Sequence, residues 1–257
     1  MPSGRAEHSD TVKKEIYSQI QNIERTHWWY IARRKIIFDW VSRNLSDDPT
    51  PRVLDVGCGT GFNVEHLGAC GYNHVMGLDS STESLVFCRS RKLTNLICGD
   101  AAWPPLRHES FDVIMALDLV EHLDDDVQAL REFGRLLKSG GSLVVFTPAF
   151  DFLWSLQDEV GYHCRRYTAG ELQQKLEKVG LRTHKLTYVN TFLFPFIWAG
   201  RIALRLFRNS VQVVSENDLH PAWSNGLLQA IFAAECPLLR HVNFPFGVSL
   251  LCVARKP

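Results

Sequence analysis

Three glycines alternate at Gly57, Gly59 and Gly61, directly after an apolar run that contains a carboxylate, Asp55. Glycines at that spacing permit φ > 0 and let a ligand reach the main chain without Cβ atoms in the way. A carboxylate just ahead of the loop repels phosphate, and Phe62 stands where a dinucleotide fingerprint puts its third glycine. The loop therefore suits a small amphipathic ligand that carries an ammonium group and no phosphate. Three later segments add polar residues in order. In Gly77-Leu78-Asp79-Ser80, Asp79 is placed to accept hydrogen bonds from a ribose diol. In Gly99-Asp100-Ala101, the carboxylate could accept from an exocyclic amine. Leu117-Asp118 would lie beside the ligand's amino-acid end. Singly, the loop could be a tight turn and each aspartate a helix N-cap. Four such sites at successive strand ends point to one ligand.

The elements that must position these residues alternate. Strands are expected at Arg52–Val56, His74–Leu78, Asn95–Cys98, Phe111–Leu117 and Ser142–Thr147, with helices near Phe62–Cys70, Ser81–Lys92 and Asp125–Lys138. The last helix should stop at Gly140-Gly141. Repeated β-α alternation predicts an α/β fold with a doubly wound parallel sheet, whose ligands bind outside the carboxyl ends of the strands. Residues 1–10 read as a loose tail and Thr11–Asn44 as helical, ended by Asp47-Asp48-Pro49-Thr50-Pro51. Thr168-Ala169-Gly170-Glu171 is a capping box, followed by a sixth strand at Leu181–Val189, helical patterning over His220–Leu239 and a final strand within Phe246–Ala254. A chain of 257 residues, 46% hydrophobic, can bury one full core. Lysine plus arginine and aspartate plus glutamate both number 28, which leaves no global footprint for nucleic acid. Seven scattered cysteines without C-x-x-C spacing and a polar start suggest buried, reduced thiols in a cytoplasmic protein.

The motifs Leu54-Asp55-Val56-Gly57-Cys58-Gly59-Thr60-Gly61, Gly77-Leu78-Asp79, Gly99-Asp100-Ala101, Phe111-Asp112-Val113-Ile114 and Leu136-Leu137-Lys138-Ser139-Gly140-Gly141 resemble those of class I S-adenosylmethionine (SAM)-dependent methyltransferases. The His27–Arg34 segment, the Leu153–Tyr167 segment and the Pro245–Pro257 ending together resemble a type 11/12-like bacterial subgroup often linked to polysaccharide or lipid-linked glycan pathways. The class I resemblance is close over roughly residues 50–150. It implies a Rossmann-like seven-stranded sheet with an antiparallel last strand, an N-terminal lid within residues 1–50, and a domain over 51–257 with insertions at 150–167 and 190–240. It implies that the Gly57 loop holds the methionine part of SAM, Asp79 the ribose, and Asp100 with Ala101 the adenine. It also implies that Leu117 lies near the sulfonium and that an arginine of the N-terminal segment, Arg33, meets the methionine carboxylate.

Methyl transfer to a hydroxyl benefits from a base, and Asp118-Leu119-Val120-Glu121-His122 offers His122. The histidine could instead pack against the cofactor or cap the next helix. Asp118, Glu121 and His122 resemble the Glu-x-x-Glu-His segment of ubiquinone-biosynthesis O-methyltransferases, which suggests a divalent cation. The aspartate shortens one ligand, so no metal is assigned. Trp154, His163, Arg165, Arg166 and Tyr167 follow the fifth strand, where this fold builds its acceptor pocket. They suit an acceptor bearing carboxylate or phosphate, or a loop tied down by pairs to Asp158 and Glu159. The apolar tract Asn190–Phe207 is interrupted by Pro195, Arg201 and Arg205, which argues against a transmembrane span. It could cap the pocket, pair two copies in a homodimer, or touch a membrane peripherally, with pocket packing the default. The expected reaction is methylation, first of all O-methylation, of a small-molecule or lipid/glycan-linked acceptor rather than nucleic acid. An NAD(P)-dependent oxidoreductase is disfavoured by Asp55, Phe62 and the lack of a hydride-site Tyr/Lys pair. A SAM-binding subunit without activity is the remaining alternative.

Overall fold

The computed structural model describes residues 17–45, 50–206 and 222–257. The expected tail, the helix start at Thr11, most of the Asp47–Pro51 break, Phe207 and His220 lie outside the described residues. Seven strands form one sheet in the order β3-β2-β1-β4-β5-β7-β6. Here β1 is Arg52–Val56, β2 His74–Asp79, β3 Leu96–Cys98, β4 Phe111–Leu117, β5 Leu137–Pro148, β6 Arg182–Val189 and β7 Ser249–Arg255. The first five are mutually parallel, as the β-α alternation predicts, and β7 is antiparallel to both neighbours, as the family resemblance implies.

Strand side chains alternate between faces, and here both faces are apolar. Val53, Val113, Met115, Val144, Phe146 and Val253 join one core, while Leu54, Ile114, Ala116, Val145 and Cys252 join the other. Residues 17–23 form α1. It is followed by α2 (Trp28–Asn44), α3 (Phe62–Ala69), α4 (Thr82–Ser90), α5 (Asp126–Leu136), α6 (Leu156–Val160), α7 (Ala169–Lys178), α8 (Phe194–Leu206), α9 (Asn225–Ala233) and α10 (Glu235–Leu239). The first core takes Ile36 and Ile37 of α2, Leu67 of α3, Cys88 of α4, Phe232 of α9 and Leu239 of α10. The second takes Leu130 and Phe133 of α5 and Leu172 and Leu176 of α7.

Three expectations need correction. The N-terminal helical pattern is broken at residues 24–27, where His27 caps α2 by accepting from the Trp29 N–H at 3.3 Å. Helix α5 ends at Leu136, and Gly140-Gly141 belong to an excursion within β5. There the register jumps from Leu137 opposite Phe111 to Ser142 opposite Val113, and the main chain exchanges hydrogen bonds with Lys256 at 2.9 and 3.0 Å. A distant strand end therefore captures a glycine pair whose local chemistry suits a helix stop. The cysteines are all free, but Cys70, Cys98 and Cys164 are exposed rather than buried.

The capping box at Thr168 and Glu171 opens α7 as expected. Helix α8 buries none of its 13 residues. Its Arg201 donates to the Leu153 carbonyl at 2.7 Å and Arg205 to those of Phe152 and Trp154, which fastens the helix to the loop after β5. No helix among the described residues is long and apolar enough to cross a membrane.

Candidate active site

The glycine loop joins β1 to α3, and its amides are spent on the end of β2. Gly57 and Cys58 N–H groups donate to the Leu78 carbonyl at 2.7 and 3.1 Å, and the Gly59 N–H to Asp79 Oδ2 at 2.9 Å. The Ser81 N–H reaches Asp79 Oδ1, also at 2.9 Å. Asp79 thus fixes the loop against the start of α4 while lone pairs on both oxygens stay available. Gly57 and Gly61 have φ of +70° and +78°. A Cβ at Gly61 would lie 2.7 Å from Leu93 Cδ1 and 2.8 Å from Cys88 Sγ. Gly61→Ala should therefore cost about 1–3 kcal/mol in urea unfolding, from left-handed strain plus overpacking. Unchanged stability would show that the loop is looser than drawn.

Asp55 lies beneath this loop, 1% exposed. Neither carboxylate oxygen has a hydrogen-bond partner. Burial pushes its pKa up to about 7, and Asn63 and Arg33 favour the ionised form without closing a well-formed bond to it. A buried carboxyl without a donor is costly unless something cationic or donating completes it.

The N-terminal segment supplies the roof. Arg33, only 6% exposed, lies over the Trp29 and Phe146 rings at 5.1 and 4.8 Å and pairs with Asp118 Oδ2 at 2.5 Å. Its Nε has no partner. Asp118 follows β4 with φ +52°, an uncommon value for a non-glycine residue, and this turn aims the carboxylate back at α2. Just before α2, the sequence reading missed Glu24. This buried carboxylate accepts from Thr60 Oγ1 at 2.6 Å and pairs with Arg91, whose Nε also donates to the Thr60 carbonyl at 2.8 Å. Arg34 donates to the Glu24 carbonyl at 2.8 Å and stacks over Phe62 at 4.0 Å. The N-terminal segment is thereby bolted to the glycine loop. Nothing local marks Glu24 in the sequence, since it resembles any acid on a helix end.

His122 sits in a 3₁₀ turn after β4, next to fully buried Glu121. Its ring meets that of His163 edge-on, with centroids 4.7 Å apart. Burial of the ring, with His163 adding to it, lowers the His122 pKa to about 4, so the imidazole is neutral at physiological pH. Asp125, not His122, caps α5, by accepting from the Gln128 N–H at 2.9 Å.

The segment after β5 divides. Arg166 is held in a two-pronged pair to Asp158 at 2.8 Å on each arm and also donates to the Ala149 carbonyl at 3.0 Å. Tyr167, 2% exposed, donates to Asp126 Oδ2 at 2.5 Å and belongs to the core. Arg165 pairs with the same Asp126 at 3.2 Å. These three side chains are committed to internal partners; the Arg166–Asp158 pair is the one foreseen as the alternative, whereas Arg165 and Tyr167 turn to Asp126. His163 Nδ1 lies 2.7 Å from Asp158 Oδ1, and the ring faces His122. Trp154 is half-buried beside α8. At the other side of the loop, Asp100 accepts from the Ala102 N–H at 2.8 Å, Ala101 is buried and Ser80 is exposed. The structure thus gathers Arg33, Asp55, the glycine loop, Asp79, Leu117, Asp118 and His122 along the carboxyl ends of β1, β2 and β4.

The methyltransferase domain family matches residues 54–145, the stretch from β1 to the middle of β5. The chain carries a class I SAM-dependent methyltransferase domain. A probable SAM-dependent methyltransferase of Mycolicibacterium smegmatis is 27% identical over 164 residues, covering 63% of this chain and 62% of its own length. The chain spans about three fifths of the curated relatives it first matches, 58–62%. The mouse tRNA (carboxymethyluridine(34)-5-O)-methyltransferase is 30% identical over 122 residues, covering 46% of this chain and 17% of its own. A chain in the Haloferax volcanii complex of the Trm112 methyltransferase activator with a methyltransferase superposes with TM-score 0.63 at 17% identity, over 95% of both chains, which shows the fold. The family's cofactor is SAM, and the unpartnered Asp55 carboxylate beneath an open glycine loop fits its ammonium group.

Proposed function

We propose that this methyltransferase domain makes the chain an active enzyme that O-methylates a small-molecule or lipid/glycan-linked acceptor. The observation that carries this reading is a neutral His122 in the 3₁₀ turn that follows β4 and Asp118. SAM supplies an already activated methyl group, so the protein's task is mainly alignment and proton removal. Asp55 would hold the ammonium, Asp79 the ribose hydroxyls, Asp100 and Ala101 the adenine, and the unpartnered Arg33 Nε the carboxylate. The segment from α1 to α2 is the lid. Neutral His122 can take the acceptor's hydroxyl proton, while Trp154 and His163 border the space that the acceptor enters.

Two experiments test the reading. In parallel thermal-shift assays, SAM and S-adenosylhomocysteine should stabilise the protein and NAD should not. Asp79→Ala should weaken the adenosyl ligands at least about tenfold, the loss of one charge-assisted hydrogen-bonding group. Stabilisation by NAD alone would overturn the cofactor assignment. For the acceptor, transfer of labelled methyl is compared among lipid extract, aqueous metabolite extract and tRNA. Label in either of the first two, reduced about 100-fold or more by His122→Ala, is expected. Label appearing only in tRNA would refute the acceptor class.

A further inference from the structure

Glu121, His122 and His163 each present a ligand-type atom, and these atoms all lie within 4.8 Å of one another. Three features mark them as a prepared set. First, Glu121 is fully buried, one oxygen accepts from Thr147 Oγ1 at 3.0 Å, and the other has no partner. Second, His163 has its Nδ1 fixed against Asp158 Oδ1 at 2.7 Å, and that carboxylate is itself clamped by Arg166. A carboxylate behind one imidazole nitrogen fixes the tautomer and leaves the other nitrogen as a lone-pair donor, the usual support for a metal-bound histidine. Third, the His122 and His163 rings meet edge-on rather than stacked. Asp118, which the sequence spacing would have put in such a set, is engaged with Arg33.

We propose that Glu121, His122 and His163 bind one divalent transition-metal cation of the zinc type. Two imidazoles and one carboxylate form a mixed nitrogen and oxygen donor set, which favours such ions over magnesium or calcium. Three protein ligands leave a position open to an acceptor oxygen, whose hydroxyl pKa the cation would lower; a metal-bound His122 has no free lone pair, so with the cation in place this replaces its role as the base. That last role rests on the methyl-transfer reading, whereas the binding itself does not.

The test uses the full-length protein and the metal alone. Calorimetric titration with Zn²⁺ should give one site per chain, weakened about tenfold or more in Glu121→Gln and in His163→Gln. His241→Gln, which changes an exposed histidine elsewhere, should bind as the wild type does. Bound Co²⁺ should show visible absorption that both site variants lose. As a check independent of variants, Zn²⁺ should protect His122 and His163 of the wild type from diethyl pyrocarbonate while His241 still reacts. Absence of a site on the wild type, equal affinity in folded His163→Gln, or unprotected His122 and His163 would each overturn the proposal. S-adenosylhomocysteine binding measured without metal reports on the methyl-transfer reading separately.

Discussion

Replacing Asp158 by alanine should lower the unfolding free energy by about 3–5 kcal/mol, enough to consume much of the stability of an ordinary domain. Asp158 is fully buried and accepts from both arms of Arg166, from His163 and from the Ser155 N–H at 2.7 Å. Burial alone would raise its pKa, but the hydrogen bonds from His163 and Arg166 and the guanidinium charge outweigh that and hold the carboxyl well below its usual range. Removing it leaves the Arg166 guanidinium, 3% exposed, uncompensated in the interior. Urea unfolding at neutral pH measures the loss. A change under about 1 kcal/mol would mean that Arg166 finds water or another partner and that the pair is not structural.

The second large effect is a dependence of ligand-free stability on pH. Asp55 titrates near its ordinary value of 3.8 in the unfolded chain and at about 7 in the folded one. Its pKa is raised on folding, so its contribution is fully present below pH 3.8 and is lost as pH climbs through 7. The expected loss is about 4 kcal/mol by neutral pH, from about 1.4 kcal/mol per unit. Burial also raises Glu235 to about 7 and Glu121 well above its usual value, so the wild-type slope is a sum. Asp55→Asn isolates one share, since it should flatten the wild-type slope by that amount between pH 4 and 7 whatever its absolute stability. Parallel slopes for the two proteins would place solvent or a donor at Asp55. The costly carboxyl is then best understood as stability withheld from the empty protein and returned when a cation arrives.

The parts of this design that were legible in the sequence are those set by local rules. Strands β1 and β4 were placed to the residue because their apolar runs are bounded by clear turn signals. Gly61 could be placed in the loop because left-handed backbone demands it, whereas Asp79, read only as a ribose acceptor, also proves to hold the Gly59 amide. What stayed hidden depends on partners far along the chain. Gly140-Gly141 read as a helix stop, and only Lys256 reveals that they belong to the sheet. Arg166 looked equally suited to an acceptor and to an internal acid, and the burial of Asp158 decides between them. Glu24 gave no signal, because its partners Thr60 and Arg91 come from the loop and the far end of α4.

The placement of β7 has a consequence for how the protein is made. This strand lies between β5 and β6, pairing with the first over Ser249–Pro148 to Arg255–Ser142 and with the second over Ser249–Val189 to Arg255–Arg182. A nascent chain halted before Ser249 would carry two strands with open edges and no bond between them, a template for sticking to other chains. The ribosome must therefore deliver residues 249–255 before the sheet can close. Tethering those residues inside the exit tunnel, with a stalling sequence fused behind them, would hold the molecule in a state that chaperones should recognise.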